Sequence, residues 1–430
     1  MRKNKIPSIF FDWVNYLCSA LNVRSIPTFI ELLIGSMITQ TGFVTDAQMA
    51  ITPKRHWGSY YKWIQQGVWS YLALARKLLE LIIQSFQLDH LFIIFDDTCV
   101  PRSSKKAPDV KYHHQHGNKP NRPTFIFGQC WLTMAVALGN GSAIPIVSRL
   151  MSTTSNTGKL MAARVIVRAM KPILCHIPST MLVDSWFMRK ALLLPVLELG
   201  IHVIGQVRID TALFDIPKPR RQPGRGRPKV YGAKYTKERV DALSAKRVKI
   251  FIYNKDQIVL YRELVAKARF LKGRVVKVVC CQFENESGKI SKPRLILSSD
   301  ITLSAKEILK RYAKRWTIEP MFNQLKNNWG LGTAWQQSRQ VLSRWAQIVS
   351  LSFAIPQMLT NLNDEKVKDL MADTPWRSNH PVTAGRIRYG LRRIFGHFRV
   401  RSWWNPKSRK FEQPDITQIE VENRKWPKAS

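Results

Sequence analysis

The sequence predicts an α/β fold: a mixed sheet core interrupted by a mostly β insertion, with helical regions at both ends. Three observations predict it. Short apolar runs rich in β-formers alternate with helical-period segments between His90 and Val207. Two of those runs, Leu91–Phe95 and Thr180–Val183, lead straight into acids, Asp96-Asp97 and Asp184. A long segment, KEILKRYAKRWTIEPMFNQLKNNWGL from Lys306 to Leu331, has the 3.6-residue period of a helix with a charged face.

Taken in order, residues 1 to about 88 read as helical. Apolar residues recur at helical spacing in Ile9–Leu21, Phe29–Ile38 and Trp69–Phe86, and Thr45-Asp46 and Thr52-Pro53 offer cap-like starts. Leu91–Phe95 then reads as a buried strand delivering carboxylates at its C-terminal edge. A basic loop, Pro101–Pro123, precedes two strands around Phe125–Leu138 and Ala143–Arg149. Gly158–Met170 is a helix, Thr180–Val183 a strand, Phe187–Leu199 a helix and Ile201–Val207 a strand. Three strands, then helix, strand, helix and strand, with acids after the first and fourth strands, suits a ribonuclease H-like core. The third acid would come from a later helix, which makes Glu319 the candidate and requires a long insertion before it.

Residues 208–305 supply that insertion, with strand-like runs at Arg247–Ile252, Gln257–Tyr261, Val275–Phe283 and Lys292–Ser298. Its basic segment holds Arg225-Gly226-Arg227-Pro228-Lys229, which reads either as the core of an AT-hook-like element, with Arg225 and Arg227 in a minor groove, or as a flexible basic loop making phosphate contacts only. Beyond Leu331, Arg339–Leu362 and Ala384–Phe395 read as helices, and the Pro- and charge-rich stretch from Arg401 as loosely ordered. The expected organisation is a helical DNA-binding N-terminal domain (1–88), the first part of the core (89–207), the β-rich insertion (208–305), the last part of the core with its charged helix (306–335) and a helical basic C-terminal region (336–430).

Charge narrows the partners. Lys and Arg number 68 against 29 acids in 430 residues, a formal net charge of +39. Such an excess favours polyanions with strong salt dependence, and nucleic acid above all. The basic residues are spread along the chain rather than gathered beside an apolar helix, so no membrane role is expected. The six cysteines form no C-x-x-C and mostly sit in apolar runs, as in reduced intracellular proteins. The histidines of Tyr112-His113-His114-Gln115-His116 lack zinc spacing, and no cysteine pair accompanies them in sequence. Neither a G-x-S-x-G nor a G-x-x-x-x-G-K-[ST] motif occurs.

Within Lys306–Leu331, Tyr312, Arg315, Glu319 and Lys326 follow Y-x2-R-x3-E-x6-K. At helical spacing all four fall within an arc of about 60°, beside an apolar face of Ile318, Met321, Phe322 and Leu325. A break at Pro320 would rotate Lys326 relative to Glu319. Three carboxylates converging at strand and helix ends would bind hard divalent cations, Mg2+ or Mn2+, two of them about 3.5–4 Å apart when both stabilise an in-line displacement. Arg315 and Lys326 would hold phosphates, Tyr312 would add a hydroxyl contact and Trp316 could stack on a base.

The YREK spacing, the Asp97-Thr98 doublet and Asp184 resemble the cut-and-paste DDE transposases of bacterial insertion sequences. The resemblance covers roughly residues 90–206 and 304–332. It implies Asp97, Asp184 and Glu319 as metal ligands and catalytic acids. It selects Asp97 over Asp96 because the family's acid directly precedes Thr, which leaves Asp96 as a support or salt-bridge partner on the other strand face. It implies Tyr312, Arg315 and Lys326 as contacts to double-stranded DNA at the element's ends. Trp316 resembles a position that holds a flipped base when an end forms a hairpin. The insertion lacks a tryptophan to pair with it, so a Phe or Tyr there, such as Tyr231 or Tyr235, would substitute. The implied activity is binding inverted-repeat ends, cleaving them and transferring their 3′-hydroxyls to target DNA. A homodimer would pair two ends, in the cytoplasm at the bacterial nucleoid. Two alternatives share the residues: a metal-dependent nuclease without transfer, and a derived DNA-binding protein that no longer cuts.

Overall fold

The computed structural model describes residues 6–114, 123–152, 158–218, 228–362, 365–371, 375–377, 379–396 and 398–414. The chain begins with α1 (Ser8–Cys18), α2 (Ile26–Ile38), α3 (Val44–Met49), α4 (Trp57–Gln66) and α5 (Tyr71–Ser85). Every residue of α2 is buried, as its all-round apolar sequence requires. The helix starts differ from those expected. Helix α3 begins at Val44, and α4 is capped by His56, whose Nδ1 accepts from the Gly58 N–H at 3.3 Å. Thr52 precedes that start by too far to serve.

Strands β1 (Leu91–Pro101), β2 (Lys111–His114), β3 (Phe125–Ala137) and β4 (Ala143–Leu150) come next, then α6 (Gly158–Leu174), β5 (Ser179–Val183), α7 (Lys190–Glu198) and β6 (His202–Val207). The sheet's centre runs β4-β3-β1-β5-β6. Strands β1, β3 and β4 pair antiparallel, whereas β5 runs parallel to β1 and β6 parallel to β5. This is a ribonuclease H-like arrangement. Strand β1 is longer than its apolar run. Pairing with β3 continues from Ile93↔Val136 to Pro101↔Gly128, so Asp96 and Asp97 sit in mid-strand and not at its edge.

The segment that follows carries β7 (Leu213–Phe214), α8 (Lys237–Asp241), β8 (Lys246–Ile252), β9 (Lys255–Ala268), β10 (Arg274–Glu284) and β11 (Arg294–Ser298). Because β11 pairs antiparallel with β6, these strands prolong the core sheet in the order β6-β11-β10-β9-β7, with β8 on β9. Ile252↔Lys255 closes the β8–β9 hairpin over two residues, Tyr253 (φ 55°) and Asn254 (φ 59°). Positive φ at both is the geometry of the tight turns that suit twisted hairpins.

The segment read as one helix is two. Helix α9 (Ala305–Ala313) starts in a capping box of Ser304 and Glu307, a 3-10 turn covers Lys314–Thr317, and α10 (Ile318–Asn327) follows. Pro320 falls in the first turn of α10, where its missing N–H breaks no intrahelical bond. The chain ends with α11 (Arg339–Leu359), α12 (Glu365–Asp369), α13 (Ala384–Phe395) and a small hairpin of β12 (Trp404–Asn405) and β13 (Lys410–Phe411). Helix α11 packs between β4 and α2, so the N-terminal and C-terminal helices share one hydrophobic core with the sheet. Ser36 Oγ donates to Ser352 Oγ across that junction at 3.1 Å. The described stretch after Arg401 is docked, not loose. Phe411 is fully buried, its N–H donates to Asn15 Oδ1 at 2.8 Å and its carbonyl accepts from Asn15 Nδ2 at 2.9 Å.

Candidate active site

The site is built on the parity of two parallel strands. Register pairs Ile94 of β1 with Leu182 of β5. Side chains alternate faces, so Asp96, two residues on, shares a sheet face with the position of Asp184, just past Val183. Asp97 faces the other way. The contacts follow this parity. Asp96 Oδ2 lies 3.2 Å from Arg315 Nη1, and Arg315 Nη2 lies 3.7 Å from Glu319 Oε1. Asp184 Oδ1 accepts the backbone N–H groups of Trp186 (2.9 Å) and Phe187 (3.1 Å), which locks the turn after β5.

Electrostatics draws the same group together. Burial pushes the Asp96 carboxyl up to about 7; Arg315 and the Asp97 N–H oppose this, and the nearby Asp184 and Asp97 carboxylates add to it. Burial works against the charged Arg315 guanidinium, but Tyr312, Asp96, Asp184 and Glu319 hold it above its ordinary range. Burial raises the Tyr312 hydroxyl to about 12. Asp96, Asp184, Glu319 and Tyr312 therefore cluster electrostatically around Arg315, and the Glu319 side chain is 44% exposed.

Asp97 is not brought into this cluster. Its Oδ2 lies 2.7 Å from Lys159 Nζ at the start of α6 and 3.2 Å from Cys130 Sγ. Lys159 also sits over the Trp186 ring, 5.0 Å from its centroid. Lys326 lies on α10, within electrostatic reach of Cys99 on β1. Arg225 and Arg227 lie outside the described residues.

Trp316, 50% exposed on the 3-10 turn, has an aromatic neighbour from the insertion, a tyrosine as expected but neither of the two given as examples. It is Tyr253, 40% exposed at the β8–β9 tip, with ring centroids 6.2 Å apart and planes at 76°. Tyr231 packs instead on Phe214 and Arg269, and Tyr235 under Arg239.

Asp96, Asp184 and Glu319 lie on a strand, a strand-end turn and a helix, and each acts on Arg315; among the described residues the metal-ligating side chains whose donor atoms lie within 4.8 Å of one another are Cys99, His113 and Cys130. Residues 21–164 match the DDE superfamily endonuclease family. The chain is thus similar to DDE endonucleases. That match supports a DDE transposase-like family and a transposase-like nuclease that acts on DNA. It spans about a third of the chain and includes Asp96, Asp97 and Lys159 but neither Asp184 nor Glu319. Among curated proteins none matches the chain. No helix among the described residues is long and apolar enough to cross a membrane.

Sequence reasoning gave Asp96 the role of a salt-bridge partner, which its ion pair with Arg315 matches, and did not single out Tyr253. Counting residue parity from an assumed β1–β5 register would have placed the first beside Asp184. The second depends on where a hairpin tip lands, for which the chain carries no local signal.

Proposed function

We propose that this chain is a DNA transposase that binds the inverted-repeat ends of a mobile element, cuts them and joins the 3′-hydroxyl ends to target DNA. The observation that carries this reading is the clustering of Asp96, Asp184 and Glu319 around Arg315 on a chain of charge +39. These carboxylates would hold Mg2+ or Mn2+. The Arg315 guanidinium already stands among them as a single positive charge, which supports a site that accepts cations. Such ions, when bound, polarise phosphoryl oxygens and lower the pKa of a coordinated hydroxyl or water. The Asp-Thr pattern favoured Asp97 as first carboxylate. The side-chain placement favours Asp96, and the two are separable by mutation.

This chain's own groups would do the rest. Arg315 can turn from Asp96 to a phosphate, and Lys326 would hold the backbone further along α10. Tyr312, kept protonated by burial, has an O–H to donate while its oxygen accepts from Arg315. Trp316 and Tyr253, edge to face at the rim, could hold an unstacked base between them, which supports a route through a flipped nucleotide. Pairing two ends would require two chains.

A strand-transfer assay with labelled element ends tests the reading. Joined products with Mg2+ are expected, and Asp184→Asn should lose cleavage while retaining end binding. Cut but unjoined ends would remove strand transfer from the proposal. Binding without cutting by the wild-type chain would remove catalysis altogether.

A further inference from the structure

Strand β1 presents a second group of ligands on the face opposite Asp96. Cys99 of β1 pairs directly with Cys130 of β3. His113 of β2 reaches the same point, because β2 pairs with the first residues of β3. One ligand atom from each of Cys99, His113 and Cys130 lies within 4.8 Å of the other two. Cys130 is buried, and Cys99 and His113 are half-buried. The Cys130 thiol donates to Asp97 Oδ2 at 3.2 Å. His113 Nε2 lies 3.2 Å from the Gly128 carbonyl oxygen, a contact that holds the ring in place.

We propose that Cys99, His113 and Cys130 form a site for a thiophilic divalent cation of the zinc class. Two sulfurs and one imidazole nitrogen from three adjacent strands are a donor set suited to Zn2+ and poorly suited to Mg2+. A neighbouring candidate for a fourth position is Asp97, whose Oδ2 is 3.2 Å from Cys130 Sγ. Lys159 holds that carboxylate at 2.7 Å and would act as its outer partner. Two thiolates and one carboxylate would more than balance a divalent charge, so the positive side chains facing the site, Lys159 and Lys326, are tolerated. A bound ion would clip β1, β2 and β3 together and fix the strand that carries Asp96. The site is separate from the carboxylate cluster and stands whether or not the chain is a transposase.

Cobalt tests it directly. The full-length protein, reduced and freed of metal, is titrated with Co2+. One Co2+ per chain is expected, with a thiolate-to-cobalt charge-transfer band, tetrahedral visible bands and displacement by one equivalent of Zn2+. Cys99→Ser and Cys130→Ser should each weaken binding at least about tenfold and reduce the band. These variants could misfold, so His113→Cys provides a gain of signal. It should keep one metal per chain and raise the charge-transfer intensity by about half, three thiolates replacing two. Asp184→Asn should leave the band unchanged. The proposal is overturned by the absence of a thiolate band in the reduced protein, by an undiminished band in Cys99→Ser, or by His113→Cys adding no intensity.

Discussion

Asp96→Asn should raise the stability of the metal-free protein while abolishing cleavage. The Asp96 carboxyl is pushed up to about 7 from an ordinary 3.8, and its side chain is 19% exposed. A folded pKa above the unfolded one means that this group's contribution to stability is fully present below about pH 4. It is lost as pH rises through about 7. Each pH unit is worth about 1.36 kcal/mol, so at pH 8 the ionised side chain lowers stability by up to about 4 kcal/mol. An amide cannot ionise. Arg315 would lose one partner and keep Glu319, which reduces the gain, so roughly 1–4 kcal/mol is expected. For a chain of this length that is on the order of 1–4 °C in Tm, measured by thermal denaturation at pH 8 without divalent metal. Cleavage loses a metal ligand worth several kcal/mol, about a thousandfold in single-turnover cutting of labelled ends. Asp97→Asn, across the strand, should keep cutting within about tenfold. The reasoning fails if Asp96→Asn cuts normally, if Asp97→Asn is the dead variant, or if Asp96→Asn melts lower than wild type.

Glu319→Gln should lose Mg2+-dependent cleavage by a similar factor yet bind end DNA with unchanged salt dependence, as read by fluorescence anisotropy, because it removes no phosphate contact. Mg2+ affinity should fall by up to about tenfold per unit as pH drops below about 7, since a proton then competes at Asp96; calorimetric titration at three pH values would show it, and a flat profile would exclude Asp96 as a ligand. Gly330→Ala should cost roughly 2–4 kcal/mol: φ is +83°, and a Cβ there would lie 2.3 Å from the Thr41 carbonyl carbon, a backbone atom that cannot swing aside; an unchanged urea midpoint would refute the contact. Arg401→Met should cost about 3–5 kcal/mol by stranding Glu31, which is 1% exposed and paired to Arg401 at 2.9 Å. Burial already raises the Glu31 carboxyl, so the deficit should shrink in acid, where it takes up a proton.

The core was legible because its signals are local. Leu91–Phe95 and Thr180–Val183 are runs that only a strand buried on both faces would carry, and the fully apolar Ile26–Ile38 could only be an interior helix. The YREK residues, read as one face of one helix, are spread over α9 (Tyr312), the 3-10 turn at Lys314–Thr317 (Arg315) and α10 (Glu319 and Lys326), a break that the helical period of the segment does not announce. Other features were set by distant partners. The full length of β1 depends on β3 running beside it, which no property of Asp96-Asp97-Thr98 announces. The C-terminal hairpin is held by Asn15 and Phe11, some 400 residues away in sequence. Cys99, His113 and Cys130 show no motif spacing because strand pairing, not local sequence, brings them together.

The position of Glu319 depends on the N-terminal helices as much as on its own. Helix α10 has only ten residues, anchored below by Ile318, Met321, Phe322 and Leu325. Just beyond it, Gly330 lies against the backbone of Thr41 and Gly42. The Gly42 N–H donates to Thr333 Oγ1 at 2.8 Å, and its carbonyl accepts from Trp345 Nε1 at 2.8 Å and Gln336 Nε2 at 3.1 Å. Arg102, past the end of β1, donates to the Gly332 carbonyl at 2.7 Å. The segment that matches the DDE endonucleases thus contains two attachment points for a helix it does not include: the loop after α2 and the end of β1. Both hold the short stretch that follows Lys326, so a shift of the N-terminal helices would be passed to α10. The N-terminal helices are therefore part of the scaffold that positions α10 and, with it, Glu319 beside Arg315.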